Sequence, residues 1–199
     1  MSSSAPGRDA ALDRLRAEAE RCVECELHST RQQVVFGAGD PDSDLMFVGE
    51  APGAEEDRTG EPFVGRSGSL LTELLEGIGL SRSEVYIANV VKCRPPENRD
   101  PSAAEIAACR DYLVGQVELV EPKLVCTLGN FSTRLLSGDD TGITKVHGEP
   151  REATLGGTQV TLLPLFHPAA ALRSPTYASG LRADFGRIPD LLKAGGSMR

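Results

Sequence analysis

The chain has 199 residues, of which 40% are hydrophobic, and this is enough to bury one sizeable core. Its net charge of -8 and pI near 5.0 argue against a protein that coats nucleic acid non-specifically through a broad basic face, but they leave a local basic groove open. No window approaches the roughly 18 apolar residues of a membrane helix, and no apolar signal segment opens the chain. We therefore expect a single-domain cytoplasmic protein.

The first predicted element is a helix from Asp9 to Arg21, preceded by small, polar residues that predict a disordered tail over 1–8. The helix leads to Cys22 and Cys25, which form a C-x2-C pair. Such a pair occurs in redox dithiols, in metal sites and by chance. A redox dithiol of the thioredoxin type usually follows a strand, whereas this pair follows a helix.

A predicted buried strand, Leu45 to Val48, is followed by a loop that is rich in acids. Gly49, Pro52 and Gly53 predict unusual backbone angles there. Ligands of open α/β sheets bind at the carboxyl ends of strands, so we interpret this segment as an active-site loop. Its acids, and the aromatic residue that follows them, are Glu50, Glu55, Glu56, Asp57 and Phe63.

Ser67 predicts the start of a helix whose leucine stripe belongs to the core and whose end is marked by Gly79. A second buried strand is predicted over Val85 to Val91. Asn89 lies near the end of this strand, where a polar side chain needs a partner. A backbone group could satisfy Asn89, but its place at a strand end, like that of Glu50, favours a site.

The next segment, Lys92 to Pro101, contains three prolines and is predicted to be an exposed, locally basic loop. Ser102 and Glu105 then form a capping box, which starts a helix that runs to about Val120. Cys93 and Cys109 bracket this loop. Together with the C-x2-C pair they make four thiolates suited to zinc or an iron–sulfur cluster, unless Cys109 is simply a core residue.

The last third of the chain alternates strands and helices: a strand at 124–128, a short helix to 136, a hairpin over 152–165 and a helix over 180–192. Cys126 lies inside the first of these strands and is interpreted as a small buried hydrophobe. His167 follows the hairpin, so it also lies at a strand end. The alternation predicts one α/β domain over 9–194, with a central, mainly parallel sheet between helices and a flexible end at 195–199.

Four motifs in this order resemble those of the family 4 uracil-DNA glycosylases. They are Gly49-Glu-Ala-Pro-Gly-x-x-Glu-Asp57, Phe63-Val-Gly-Arg-x-Gly68, Asn89-Val-Val-Lys-Cys-Arg-Pro-Pro96 and His167-Pro-Ala-Ala170. With the cysteine spacing, the resemblance covers the chain from Cys22 to about Leu192. It implies a three-layer α/β/α fold and a [4Fe-4S] cluster on Cys22, Cys25, Cys93 and Cys109. It also implies release of uracil from single- or double-stranded DNA, the first step of base excision repair.

The resemblance assigns roles residue by residue. Phe63 would stack on the flipped uracil, Asn89 would read its polar edge beside Gly49 and Ala51, and His167 would face its O2 atom. Glu50 corresponds to the first acid of the family and Glu56 to the second. Which of the two activates water stays open, because Ala51 stands where better-known uracil glycosylases carry an aspartate. The residues that would contact DNA are Arg66, Leu172 and Arg173.

Breaking an N-glycosidic bond calls for a carboxylate near the sugar and a donor near the base, which Glu50 and His167 could supply. Two other classes stay open on the sequence. One is a non-catalytic nucleic-acid-binding module with a structural zinc or iron–sulfur site; the other is a small-molecule hydrolase or thiol redox protein. Two neighbouring glycosylase families are disfavoured. One carries a basic, histidine-containing insertion after the strand with the asparagine, whereas the 92–101 loop is short and has no histidine. The other lacks the glutamate that follows the first glycine of the first motif, and here Glu50 follows Gly49. We expect a monomer that binds uracil-containing DNA and no membrane.

Overall fold

A computed structural model describes residues 7–195. The strands in this part are β1 (Ala38–Gly39), β2 (Leu45–Gly49), β3 (Tyr86–Asn89), β4 (Leu124–Leu128), β5 (Arg151–Leu155) and β6 (Thr158–Leu165). The α-helices are α1 (Arg8–Glu20), α2 (Ala54–Thr59), α3 (Arg66–Gly77), α4 (Ala103–Val120), α5 (Asn130–Ser137), α6 (Ile143–Val146), α7 (Pro168–Ala171), α8 (Pro175–Phe185) and α9 (Ile188–Gly195). The tails expected at 1–8 and 195–199 fall mostly outside the described residues.

The strands form one sheet in the order β1-β3-β2-β4-β6-β5. The four inner strands are parallel to one another, and the two edge strands run antiparallel to their neighbours. This confirms the predicted mainly parallel sheet. Because β2 connects to β3 on one side and is flanked by β4 on the other, the order reverses at β2, the place where open α/β sheets bind ligands.

The core lies on both faces of the sheet, and β2 shows why. Leu45 and Phe47 pack with α3, α8 and α9, whereas Met46 and Val48 pack with α1 and α4. Successive strand residues point to opposite faces, so a continuous apolar run is what a strand covered on both sides requires. The result is the three-layer arrangement of helices, sheet and helices.

Helix α4 begins at its predicted capping box: the Ser102 hydroxyl accepts from the Glu105 backbone N–H, and the Glu105 carboxylate accepts from the Ser102 N–H at 2.8 Å. Two other boundaries were predicted wrongly. Helix α3 begins at Arg66 after Gly65, not at Ser67. The single helix expected over 180–192 is two helices, α8 and α9, and Gly186 lies at the break, where a glycine would weaken a continuous helix. No helix within residues 7–195 has the length and apolar character to span a bilayer.

Candidate active site

A cavity of about 660 Å³ opens at the carboxyl ends of the parallel strands. It receives residues from the ends of β2, β3 and β6, and from the loops that follow them. The structure thus brings together, on one cavity, most of the residues that the sequence singled out: Glu50, Ala51, Glu56, Phe63, Arg66, Asn89, His167 and Arg173. Leu172 lies beside Arg173 with 43% of its surface exposed.

Gly49 directly precedes the cavity residue Glu50 and stands opposite Asn89 in the parallel pairing of β2 with β3. A Cβ atom on Gly49 would overlap the Asn89 amide oxygen and the edge of the Phe63 ring. Neither Gly49 nor Gly53 has a positive φ, so the prediction that they supply unusual backbone angles was wrong. Gly49 is needed for space, because two side chains of the site pack directly onto its backbone.

The backbone of Phe63 has a strained conformation. Its φ is +52°, a left-handed conformation that costs free energy for a bulky residue. Gly68 permits it, since a Cβ there would overlap the Phe63 carbonyl group. The ring is 6% exposed and its centroid lies 5.9 Å from that of His167. The two rings thus form adjacent walls of the cavity.

Asn89 is 1% exposed, and its amide oxygen accepts no hydrogen bond from residues 7–195. Its backbone oxygen is occupied, since it accepts from the Lys92 ammonium group at 2.8 Å. A buried polar atom without a partner is costly, and it calls for a ligand or water to satisfy it. The amide of Asn89 is therefore available for recognition.

His167 follows β6 and caps the amino end of α7. Its Nδ1 atom accepts a hydrogen bond of 3.0 Å from the backbone N–H of Ala169. A neutral imidazole carries one N–H, so the proton lies on Nε2. Burial, together with the positive charge of Arg173, lowers the pKa of His167 to about 4. At neutral pH the ring is thus an uncharged donor.

Glu50 is partly buried at the carboxyl end of β2. Burial, together with the charge and hydrogen bond of Asp100, raises its pKa to about 7. A carboxyl group with a pKa near neutrality can accept a proton and is the kind of group that serves as a general base. Asp100 was not singled out from the sequence.

Glu56 has different surroundings, although it lines the same cavity. One carboxylate oxygen accepts from the backbone N–H groups of Val64 and Gly65, both at 3.0 Å, and the other accepts from that of Gly53 at 3.1 Å. Glu56 therefore ties the acidic loop to the segment that carries Phe63. Both oxygens are engaged in holding backbone.

Two residues of the predicted site region lie elsewhere. Asp57 is 2% exposed and accepts from the backbone N–H groups of Gln32 and Gln33, so it braces a neighbouring segment and does not line the cavity. Lys92, predicted in an exposed basic loop, is 1% exposed. Its ammonium group donates to the Asn89 backbone and to Gln116, which compensates its burial.

The part of the cavity wall that follows β3 was not predicted from the sequence: Pro95, Asn98, Arg99 and Asp100. Their position directly after the strand that ends in Asn89 was the available signal, since loops at carboxyl ends build such sites. Arg99 makes a two-pronged ion pair with Glu105, at 2.6 and 2.8 Å. This pair fixes the loop to the first turn of α4.

The four predicted cysteine ligands lie together on a second, small pocket. Cys22, Cys25, Cys93 and Cys109 line it with Arg31, Lys92 and Tyr112. Arg31 donates to the sulfur of Cys93 at 3.3 Å, and the Lys92 backbone N–H donates to that of Cys109 at 3.2 Å. Cys126 is fully buried in the opposite core, away from this pocket.

Within residues 7–195, no three His, Cys, Asp or Glu side chains form a group that could hold a single metal ion. In a [4Fe-4S] cluster each of the four thiolates binds a different iron, so the ligands need not converge on one ion. Donors to the sulfur atoms are also part of the surroundings that tune such clusters. The four thiols, with N–H donors to two of their sulfur atoms, have the chemistry that would suit such a cluster.

Comparison with known proteins adds independent findings. The model of the uracil DNA glycosylase superfamily matches residues 36–185. A type-4 uracil-DNA glycosylase of Archaeoglobus fulgidus is 43% identical over 184 residues, covering 90% of this chain and 92% of the relative. One of Thermotoga maritima is 46% identical over 168 residues, covering 84% and 86%. A type-5 uracil-DNA glycosylase of Pyrobaculum aerophilum is 34% identical over 149 residues, covering 66% and 63%.

Proposed function

The chain belongs to the uracil DNA glycosylase superfamily, and we propose that it is a uracil-DNA glycosylase of the type-4 kind. It hydrolyses the N-glycosidic bond between uracil and deoxyribose, and so starts base excision repair. One observation carries the assignment to this cavity. The buried amide of Asn89 has an oxygen without a partner among residues 7–195, in a cavity that also presents the Phe63 ring and the Nε2–H of His167.

Uracil recognition rests on the Asn89 amide. The uracil edge presents an N3–H donor beside a carbonyl acceptor, and one amide can accept from the first and donate to the second. Phe63 would stack on the base, an interaction worth about 1 to 3 kcal/mol. A base inside a duplex cannot reach such a site, so the nucleotide must rotate out of the helix into the cavity.

Bond cleavage places negative charge on the leaving base and positive charge on the sugar. The C1′–N1 bond breaks, its electron pair leaves with uracil, and the charge that develops at O2 is met by the Nε2–H of His167. A neutral donor suits this step, since it stabilises the uracil anion without needing to lose its own proton. Water then bonds to C1′ and gives up a proton.

Glu50 is the group we assign to take that proton. As a carboxylate it also stabilises the positive sugar electrostatically. Its pKa of about 7 is near the value at which a general base works best at neutral pH. Glu56 is assigned a positioning role instead, because its two oxygens already accept from three backbone N–H groups.

DNA would approach the open side of the cavity. Arg66 and Arg173 are exposed at its rim and could bind phosphates, and Leu172 could fill the space left by the extruded nucleotide. Local cations of this kind permit DNA binding by a chain with a net charge of -8. The protein is proposed to act on DNA as a monomer in the cytoplasm.

Cys22, Cys25, Cys93 and Cys109 would hold a [4Fe-4S] cluster. Such a group, when bound, supplies covalent ties between distant parts of the chain. Here it would join the segment after α1 to the loop after β3 and to α4. Since Asn89 ends β3, the cysteines support the same segment that carries uracil recognition.

Release of free uracil tests the function. A labelled single-stranded oligonucleotide with one uracil is incubated with excess protein, beside the same oligonucleotide with cytosine in that place. We expect uracil to be released from the first only, and His167→Ala to abolish most of the release. Binding of the oligonucleotide without any release would leave a non-catalytic nucleic-acid-binding module as the better description.

A further inference from the structure

A second acid, Asp100, stands beside the proposed base. Glu50 and Asp100 together line the main cavity, and they also line a neighbouring cavity that ends at α5. Because they share two cavity walls, the charge and the side-chain hydrogen bond of Asp100 act on Glu50. Two neighbouring carboxylates repel, so a proton held between them relieves the repulsion.

The loop around Asp100 is built to keep this acid in place. Arg99, its neighbour in the chain, directs its guanidinium group to Glu105 and to the backbone oxygen of Asp100 at 3.0 Å. Arg94 donates to the Asn98 side chain at 2.8 Å, and Asn98 has a φ of +54°. These contacts fix the backbone of the loop, and the guanidinium group of Arg99 pairs with the carboxylate of Glu105.

Other charged groups face the two cavities from the surrounding elements. Glu55 on α2 is paired with Arg58, and Glu56 is held by backbone donors. The remaining groups are Arg66, Arg134, Asp140, His167 and Arg173. Among all of them, Asp100 is the group whose charge and hydrogen bond act together with burial to raise the pKa of Glu50.

We propose that Asp100 is a positioning residue that shares a proton with Glu50, so that the acid pair sets the pH range in which the enzyme works. This rests on the proposed role of Glu50 as the base. With the shared proton in place, Glu50 is held close to the reacting water without carrying a full charge. Loss of the proton to solvent then gives the carboxylate that the reaction uses.

The test is the pH dependence of single-turnover uracil excision between pH 5 and 9. In the wild-type holoenzyme the rate should rise with pH as Glu50 loses its proton, with a midpoint near its pKa of about 7. Asp100→Asn removes a negative charge and adds an amide donor, so the midpoint should fall by roughly 0.5 to 1 pH unit. The rate on the alkaline plateau, where Glu50 is ionised in both proteins, is recorded beside the midpoint.

The matched control is Asp140→Asn, another acid on the neighbouring cavity, which should leave the midpoint unchanged. An Asp100→Asn midpoint equal to that of the wild type would overturn the inference, and so would an equal shift in both variants. A lower plateau with an unmoved midpoint would give Asp100 a merely structural role, which also rejects it. Wild-type protein that releases no uracil at any pH would reject the proposed function instead.

Discussion

The backbone N–H of Ala169 donates to Nδ1 of His167 at 3.0 Å, and this one contact decides which ring nitrogen can act on a ligand. It leaves the single proton of the neutral ring on Nε2, the nitrogen that remains for the cavity. Because the contact comes from the first turn of α7, the same Pro-Ala-Ala segment that follows the histidine fixes its tautomer.

His167→Ala should slow uracil excision by on the order of a hundredfold or more, the typical effect of removing one donor to a developing anion. Binding of uncleaved DNA should change far less, because the charge appears only as the bond breaks. Single-turnover rates and binding titrations measure the two effects. His147→Gln is the control, since His147 pairs with Asp184 outside the cavity. Equal losses of binding and rate would contradict the donor role.

Asn89→Asp should weaken excision because a carboxylate accepts hydrogen bonds but cannot donate one to the uracil carbonyl. It also buries a charge in a site that is 1% exposed. The ratio kcat/KM on a uracil oligonucleotide should fall at least tenfold, because a tenfold loss corresponds to roughly the free energy of one hydrogen bond. Phe63→Ala should lower the same ratio roughly 5- to 150-fold through lost stacking. Unchanged ratios in both variants would remove these residues from the uracil site.

Glu50→Gln and Glu56→Gln should separate chemistry from positioning. The first keeps the shape but removes the proposed base, which typically contributes on the order of 10² to 10⁴ in rate. The second loses part of a carboxylate that binds three backbone N–H groups, so it should mainly lower stability, by about 1 to 3 kcal/mol. Excision rates and denaturant unfolding of both variants provide the comparison. A greater loss of rate in Glu56→Gln would transfer the role of base to Glu56.

The stability of Glu50→Gln should also depend on pH. The pKa of Glu50 is raised in the folded protein to about 7, so ionisation costs more there than in the unfolded chain. The wild type therefore loses stability from this group as the pH rises from the ordinary carboxyl range through 7. Glu50→Gln has no carboxyl group at this position and does not lose this stability. Its melting temperature should therefore rise relative to that of the wild type as the pH increases from 4 to 8. A difference in melting temperature between the two proteins that is the same at every pH would argue against the raised pKa of Glu50.

Glu105→Gln should destabilise the loop after β3. The contribution of Glu105 to stability should grow as the pH rises, whereas that of Glu50 shrinks. The hydrogen bond and charge of Arg99, with the donors of Ser102, lower the pKa of Glu105 to about 2. Its contribution is full above the unfolded pKa and is lost as the pH falls toward 2. The free energy of unfolding of the wild type should thus exceed that of the variant by about 1 to 3 kcal/mol at pH 7 and by less at pH 3. Denaturant unfolding at the two pH values measures the difference. A cost that does not shrink in acid would contradict this ion pair.

Replacing Cys109 by alanine should remove the brown visible absorption expected of a cluster-loaded protein and lower its melting temperature. The same holds for Cys22, Cys25 and Cys93. Cys126→Ala is the matched control: it creates a small void in the core but leaves the pocket intact, so the colour should persist. If Cys126→Ala lost the colour and Cys109→Ala kept it, the proposed ligand set would be wrong.

The strand ends illustrate what the sequence by itself determines. Glu50, Asn89 and His167 each follow an apolar run of strand type, and parallel strands place such ends on one edge of the sheet. Local chemistry sets these positions, since buried strands need apolar residues and helix α4 needs its capping box. The strand–helix alternation, the cavity edge and the cysteine spacing therefore follow from the order of the residues alone.

The tertiary structure alone decided which groups meet. Glu56 and Asp57 are adjacent in the chain, yet one ties the Phe63 segment to the cavity and the other braces Gln32 and Gln33. Lys92 has the sequence of an exposed loop, but Asn89 and Gln116 give its ammonium group buried partners. Glu50 and Asp100 are fifty positions apart, and the fold brings them together. A sequence states what each side chain can donate or accept, whereas its partners are set by chain segments that only folding brings within a few ångströms.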